Sequence, residues 1–341
     1  MSRRASSYRR ILLVQILDDC RVGLTARIVA PATIGLIRKI IHHCVQFATC
    51  FPAFLTQSGP PELKKQLSKA YKTHNQSGQA KIMQKKITSD ELDYIFKKRN
   101  EHGRPLGPAP IRRRNFGFYT PSEKYEAILN RLLKPESNWL DLGGGRHLLP
   151  QNPALAKELS KRCSRVVGID PSPNIEENQY INERFQGFLD DFKGQRNFDV
   201  ISLRMVAEHI QEPQSIVSQI SKSIKVGGFV VILTVWDYAP ITWISWLTPH
   251  WVHFPIKKVF WGGEEKDTFP VAYKMNSLSK LRKLFGDQGF TTEMLELVAD
   301  CSTTSKWQIL NTLELSAWKA LSTLNVPYPE SCVLAVFRKH E

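Results

Sequence analysis

The 341-residue sequence has little of several things that would point to common architectures. Its six cysteines, Cys20, Cys44, Cys50, Cys163, Cys301 and Cys332, are scattered and form no CxxC pair. That spacing excludes the usual structural zinc sites and argues against a disulfide framework, leaving reduced thiols and a cytoplasmic compartment as the expectation. An uninterrupted apolar run long enough to cross a bilayer is also missing. ILLVQIL is followed at once by Asp18 and Asp19, and ATIGLIRKIIHHCVQFATCFPAFL carries Arg38, Lys39, His42 and His43 in its middle. Each buried cation there would cost about 2.5 to 3.5 kcal/mol. A helix lying in the membrane interface, or packed on the rest of the chain, fits that stretch better than a span, and a cleaved signal lacks a small-residue cleavage site. The His42-His43-Cys44 run does not read as a metal site, because adjacent residues on a helix point in different directions.

Net charge is missing from most of the chain. The formal excess of +15 belongs wholly to Met1–Thr120, and Pro121–Glu341 is balanced. A basic excess confined to the N-terminal third suits a solvated face or a loose grip on phosphate or anionic lipid, and it weakens a nucleic-acid reading of the remainder.

What is present divides into three parts. Residues 1–57 form an apolar and basic segment, interfacial or poorly ordered. Residues 58–114 form a basic helical extension ending in EHGRPLGPAPIRRRN, which reads as a Pro/Gly/Arg linker with solvated arginines. From residue 115 to 341 short apolar runs alternate with amphipathic ones. SEKYEAILNRLL predicts a helix with Ser122 available as N-cap; NWLDL, RVVGID, FDVISLR and FVVILTV predict strands; ALAKELSKRC and IVSQISKSI predict helices, with Gly227-Gly228 as a turn. Alternation of this kind implies an α/β fold with a mostly parallel, doubly wound sheet of the Rossmann-like type. Ligands of such sheets bind at the carboxyl ends of the strands.

The unusual residues sit at those ends. NWLDL runs into Gly143-Gly144-Gly145, where the chain can pass tightly beneath a nucleoside or amino-acid moiety. Asp170 closes RVVGID at the spacing where a carboxylate accepts hydrogen bonds from paired ribose hydroxyls. The glycines do not follow G-x-G-x-x-G, since Leu148 stands at the sixth position, which demotes a dinucleotide dehydrogenase. His147 stands where another glycine is common.

These residues resemble the class I S-adenosylmethionine-dependent methyltransferases. WLDLGGGRH is similar to their first motif, VVGID to the second, FDVISLRMVAEHI to the fourth-strand motif, and IKVGGFVVILT to the turn into the fifth strand. DTFPVAYKMNSLSKLRKLFGDQGF resembles the segment after that strand in a small-molecule, type-11-like branch. TTEMLELV and CVLAVFRK then stand as the antiparallel closing strands of a seven-stranded sheet, with an extra helix in SKWQILNTLELSAWKAL.

The resemblance implies S-adenosylmethionine as cofactor. Asp141, Gly143, Gly144 and Gly145 would form the loop under its methionine part, and Asp170 would hold the ribose. The acid that often meets the adenine falls at Phe188, so Asp190 or Asp191 would take that contact, or Phe188 would stack on the base; Arg204 joins the cofactor set. Glu208 and His209 are the catalytic candidates, with His209 as a general base or a local structural residue. Met205 occupies the earlier position of a metal-binding glutamate, so no metal is expected.

The insertion at about 236–276, with Trp236, Trp243, Trp246, Trp251, Trp261, Tyr238, Phe254 and Phe260, reads either as a lid packed on the core or as the wall of a pocket for an aromatic or lipid-like small molecule, with peripheral membrane contact as a third option. Two other classes compete: a non-catalytic binding protein that keeps the fold, and a nucleic-acid methyltransferase. The latter lacks an asparagine-proline-proline-tyrosine motif after the fourth strand.

Overall fold

The structure is a computed structural model that describes residues 86–100, 106–237, 239, 271–302, 304–324, 326 and 328–340. The N-terminal segment 1–57, the His42-His43-Cys44 run and almost all of the aromatic insertion lie outside the described residues.

The elements in chain order are α1 (Ser89–Asn100), α2 (Pro108–Phe116), α3 (Pro121–Leu132), β1 (Asn138–Leu142), α4 (Pro153–Arg162), β2 (Arg165–Asp170), β3 (Glu183–Gln186), β4 (Phe198–Arg204), α5 (Pro213–Ser223), β5 (Ile224–Val235), α6 (Leu278–Gly286), β6 (Phe290–Ala299), α7 (Gln308–Thr323) and β7 (Ser331–Lys339). The strands form one 7-stranded sheet in the order β3-β2-β1-β4-β5-β7-β6. Strands β3, β2, β1, β4 and β5 run parallel. β7 is antiparallel to both β5 and β6. The expected fold class is therefore present, and strand order reverses between β1 and β4.

Period-two alternation divides the core. Trp139, Val166, Val200, Val231, Leu334 and Val336 face one layer with α1, α3 and α4, whereas Leu140, Val167, Ile201, Val230, Ala335 and Phe337 face the other with α5 and α6. Two buried faces explain why these strands read as near-continuous apolar runs.

Four local expectations change. Helix α3 starts at Pro121, and its N-cap is Thr120, whose side chain accepts from the Glu123 amide while Glu123 reaches back to the Thr120 amide. That reciprocal capping box satisfies two backbone donors at once, and the proline ahead of Ser122 suits the first helical position. Gly227 and Gly228 lie within β5 as a bulge, with Gly227 at φ 84° and the register shifting between Phe198 and Val200.

The third change is in the proline-rich linker: Pro108–Phe116 is a helix, with Pro108 at its start and Gly117 closing it in the left-handed region at φ 69°. The fourth is in the arginines, which are not solvated as a group. Arg113 is 8% exposed and makes a 2.8 Å ion pair with Glu123, itself fully buried. Arg112 donates to Asn311 Oδ1 at 2.8 Å and to the Ser305 carbonyl at 3.0 Å, tying α2 to the start of α7. Phe118 meets Trp318 edge-on nearby, over a small satellite core with Cys301 and Leu315. Helix α1 also belongs to the folded unit: Leu92 and Ile95 join the main core, Arg131 grips Glu91, and Tyr94 donates to Glu158.

Candidate active site

The carboxyl ends of β1, β2 and β4 carry most of the expected residues: Asp141 with the glycines, Asp170, and Arg204 with Glu208 and His209. Asp141 sits at the end of β1, opposite Ser202 of β4 in register, and is 5% exposed. Ser202 Oγ donates to Asp141 Oδ1 at 2.5 Å and accepts from the Trp139 indole at 2.7 Å. Burial pushes the Asp141 carboxyl up to about 7, against the opposing pull of Ser202 and the attraction of Arg204. Ser202 was missed in the sequence, although a hydroxyl inside the apolar run FDVISLR was the available signal.

The sign of that shift gives a test. A carboxyl whose folded value lies above its unfolded one favours the folded state when protonated, and that stability is lost as pH rises from about 4 to 7. Asp141→Asn keeps the shape without the charge. Its unfolding midpoint at pH 8 should exceed that of the native chain by roughly 5 °C, with the gap closing towards pH 4. A scanning-calorimetry series in which the gap is independent of pH would refute the assignment.

Beyond Asp141, Gly143 has φ 75° and its amide donates to the Ile169 carbonyl at 2.8 Å. A Cβ on Gly143 would lie 2.2 Å from Val206 Cγ2, and one on Gly144 would lie 3.1 Å from Ile175 Cδ1. Gly145, at φ 42°, donates its amide to Asp170 Oδ2 at 3.0 Å, and Ser172 donates to Asp170 Oδ1 at 2.8 Å. The Asp170 carboxylate is thus held by two backbone amides, and a carboxylate's remaining lone pairs can still accept hydrogens.

Asn178 clamps the loop from behind. It is fully buried and donates to the carbonyls of Gly144 and Gly145 at 3.0 and 3.1 Å. Arg184 in turn donates to the Asn178 carbonyl at 2.6 Å. Nothing in ENQYIN marks this residue, because its role depends on a loop far away in the chain. Arg146 pairs with Glu177 at 2.8 Å on the surface, and His147 is exposed. Helix α4 begins only at Pro153, capped by Asn152, so the position taken by His147 does not press on a helix.

Past β3, Phe188 is 64% exposed, and Asp190 and Asp191 are exposed beside it. All three follow the strand adjacent to Asp170. Arg204, at the end of β4, is half-buried and attracts both Asp141 and Glu208.

Met205 follows at φ 55°, a left-handed conformation that costs a non-glycine residue energy and often marks a functional turn. A short 3-10 turn, Ala207–His209, then presents Glu208 inward and leaves His209 half-buried. Thr234 Oγ donates to Glu208 Oε2 at 2.7 Å, and the Glu208 carbonyl accepts from the amides of Ala272 and Tyr273. Burial raises the Glu208 carboxyl, while Thr234, His209 and Arg204 oppose the rise. Among the described residues no group of three His, Cys, Asp or Glu gathers as a metal would need.

The glycine loop and the amide-held carboxylate lie beside the strand-order switch, where Rossmann-like sheets bind their ligands. A family model described as a methyltransferase domain matches residues 113–295, more than half of the sequence, and the chain belongs to that family. Solved structures to which the chain is similar include the N-methyltransferase NodS from Bradyrhizobium japonicum WM9, at 16% identity over 65% of this chain and 97% of that one, with a TM-score of 0.37. An S-adenosylmethionine-dependent methyltransferase from Mesorhizobium loti matches at 15% identity over 64% and 98%, with a TM-score of 0.42. Geranyl diphosphate methyltransferase in complex with SAM matches at 14% identity over 64% and 85%, with a TM-score of 0.40. No curated protein matches the chain in sequence.

Proposed function

We propose that this methyltransferase-family chain moves a methyl group from S-adenosylmethionine to an oxygen or carbon of a small-molecule acceptor. The observation that carries the reading is the Gly143–Gly145 loop, held from behind by Asn178 and joined to Asp170 by the Gly145 amide. Gly143 leaves room for the Val206 side chain, so the loop lies close against the turn after β4, and Gly145 brings its amide onto Asp170, whose fixed carboxylate suits two ribose hydroxyls. The Asp141 carboxyl and the Arg204 guanidinium offer an acceptor and a cation for the ammonium and carboxylate of the amino-acid end. Phe188 offers an exposed ring on which the adenine stacks, with Asp190 and Asp191 as acceptors for its amine.

The cofactor supplies a methyl group on a sulfonium, whose charge vanishes on transfer. The chain's task is alignment and exclusion of water, and alignment alone can supply about 7 to 11 kcal/mol. The acceptor is placed over the ends of β4 and β5. There His209 takes a proton from an acceptor hydroxyl, and the buried Glu208 carboxyl steadies the imidazole electrostatically.

Two measurements test this. Calorimetric titration with S-adenosylmethionine should give saturable binding, and absence of heat at millimolar cofactor would remove the proposal. Once an acceptor is found by mass analysis of extract methylated with labelled cofactor, His209→Ala should lower turnover about a hundredfold with cofactor affinity unchanged. Full turnover in that variant would remove His209 as the base.

A further inference from the structure

We infer that the methyl acceptor presents a hydroxyl or N–H hydrogen to Asp237 and Asn276, at the carboxyl end of β5. The inference rests on the methyl-transfer reading above and names the chemistry of the second substrate.

Two buried oxygen acceptors in this corner, Asp237 Oδ1 and Asn276 Oδ1, have no hydrogen-bond partner. They belong to residues that touch through the backbone, since the Asp237 amide donates to the Asn276 carbonyl at 3.2 Å. Asn276 is fully buried and its amide orientation is fixed: Nδ2 donates to the Val235 carbonyl at 2.9 Å and to Thr234 Oγ at 2.7 Å. Because Val235 offers only an acceptor there, the nitrogen must face it, and Oδ1 is left as the unpaired atom. The same constraint gives the chain a direction. Thr234 accepts from Asn276 and so donates to Glu208 Oε2, which links this corner to the catalytic candidates.

Asp237 has its other oxygen, Oδ2, 3.4 Å from Lys280 Nζ, a long contact at a lysine that is half-exposed. Oδ1 is spared by that pairing. Burial pushes the Asp237 carboxyl up, with Lys280 pulling it back down. A buried acceptor left without a donor is costly, so such atoms are normally satisfied. Two of them, on residues paired through the backbone just after β5 and with Asn276 linked through Thr234 to Glu208, match a ligand that brings hydrogens, and they penalise one that brings only lone pairs or methyl groups. A site whose acceptors are built to take a ligand's hydrogen rejects an analogue lacking that hydrogen far more strongly than an apolar pocket rejects one of different size.

The test uses the full chain saturated with S-adenosylhomocysteine and two matched pairs of probes, read by ligand-observed NMR. Phenol and anisole differ in a hydroxyl hydrogen; trimethylammonium and tetramethylammonium share a charge and differ in an N–H. The donor member of at least one pair should bind about tenfold more tightly than its partner, and the pair that discriminates tells hydroxyl from amine. Asp237→Leu removes one of the two acceptors and should cut the preference to about threefold or less while keeping S-adenosylhomocysteine affinity and the unfolding temperature. Equal affinities within both pairs overturn the inference, a comparison that needs no variant; so does a preference that is undiminished in a folded Asp237→Leu chain. Failure of S-adenosylhomocysteine itself to bind falls instead on the methyl-transfer reading, and is seen before any probe is added.

Discussion

Replacing Gly143 with valine should abolish cofactor binding. Two costs coincide at this position. The backbone has φ 75°, a region that strains any side chain and a β-branched one most, and a Cβ would stand 2.2 Å from Val206 Cγ2. Backbone strain and overpacking together are worth about 4 kcal/mol, roughly a thousandfold in a binding constant if the loop escapes by leaving its place. Escape is the expected response, because Val206 is fixed by the turn after β4, where Met205 donates to the Leu233 carbonyl at 2.7 Å.

The two costs can be separated. Gly143→Ala with Val206→Ala removes the steric part and retains the backbone part, so calorimetry should show partial recovery of S-adenosylmethionine affinity over Gly143→Ala alone. No recovery would mean that Val206 does not hold the loop.

The second large effect concerns stability. Arg113→Met should cost about 3 to 5 kcal/mol, because it strands a charged carboxylate in the interior. Glu123 is fully buried and accepts from the Thr120 amide at 2.7 Å, from Arg113 at 2.8 Å and, more distantly, faces Arg99 at 3.8 Å. Burial alone would raise its carboxyl; attraction to Arg113 and Arg99 and the Thr120 amide carry it below its ordinary value.

A depressed folded value means that the stabilisation is present above the unfolded value and is lost as pH falls through the folded one. The gap between native and Arg113→Met chains should therefore narrow in acid. Adding Glu123→Gln to Arg113→Met should recover part of the loss in urea unfolding. A double variant no more stable than the single would show that the arginine acts by packing, for instance through its place over the Phe96 ring.

Arg113 also shows where the sequence stops being legible. Pro, Gly and Arg in quick succession look like a solvated connector, and composition carries no trace of Glu123 or of Asn311, which lies 199 residues from Arg112. Thr120 displaced Ser122 as the cap because the cap is chosen by the whole turn, including a glutamate three residues on. The glycine bulge in β5 was readable as a glycine pair, yet only the register against β4 distinguishes a bulge from a turn. Within the site, Asp141, the three glycines and Asp170 were legible because they stand at or just beyond the ends of apolar runs. Asn178 and the Thr234–Asn276 link were not, and Ser202 showed only as a hydroxyl in an apolar run, since each acts on a partner remote in the chain.

The sequence by itself determined the alternation of strands and helices, the parallel core, the glycine loop and the two acids at strand ends. These follow from periodicity and from backbone freedom, which are local. Only the tertiary structure decided which hydroxyl meets Asp141, what clamps the loop, that the arginine helix belongs to the folded unit, and which buried oxygens beside β5 remain without a hydrogen. Those are pairings of buried polar groups, and because burial makes an unpaired group costly, they are settled by where distant segments come together and not by the residues on either side.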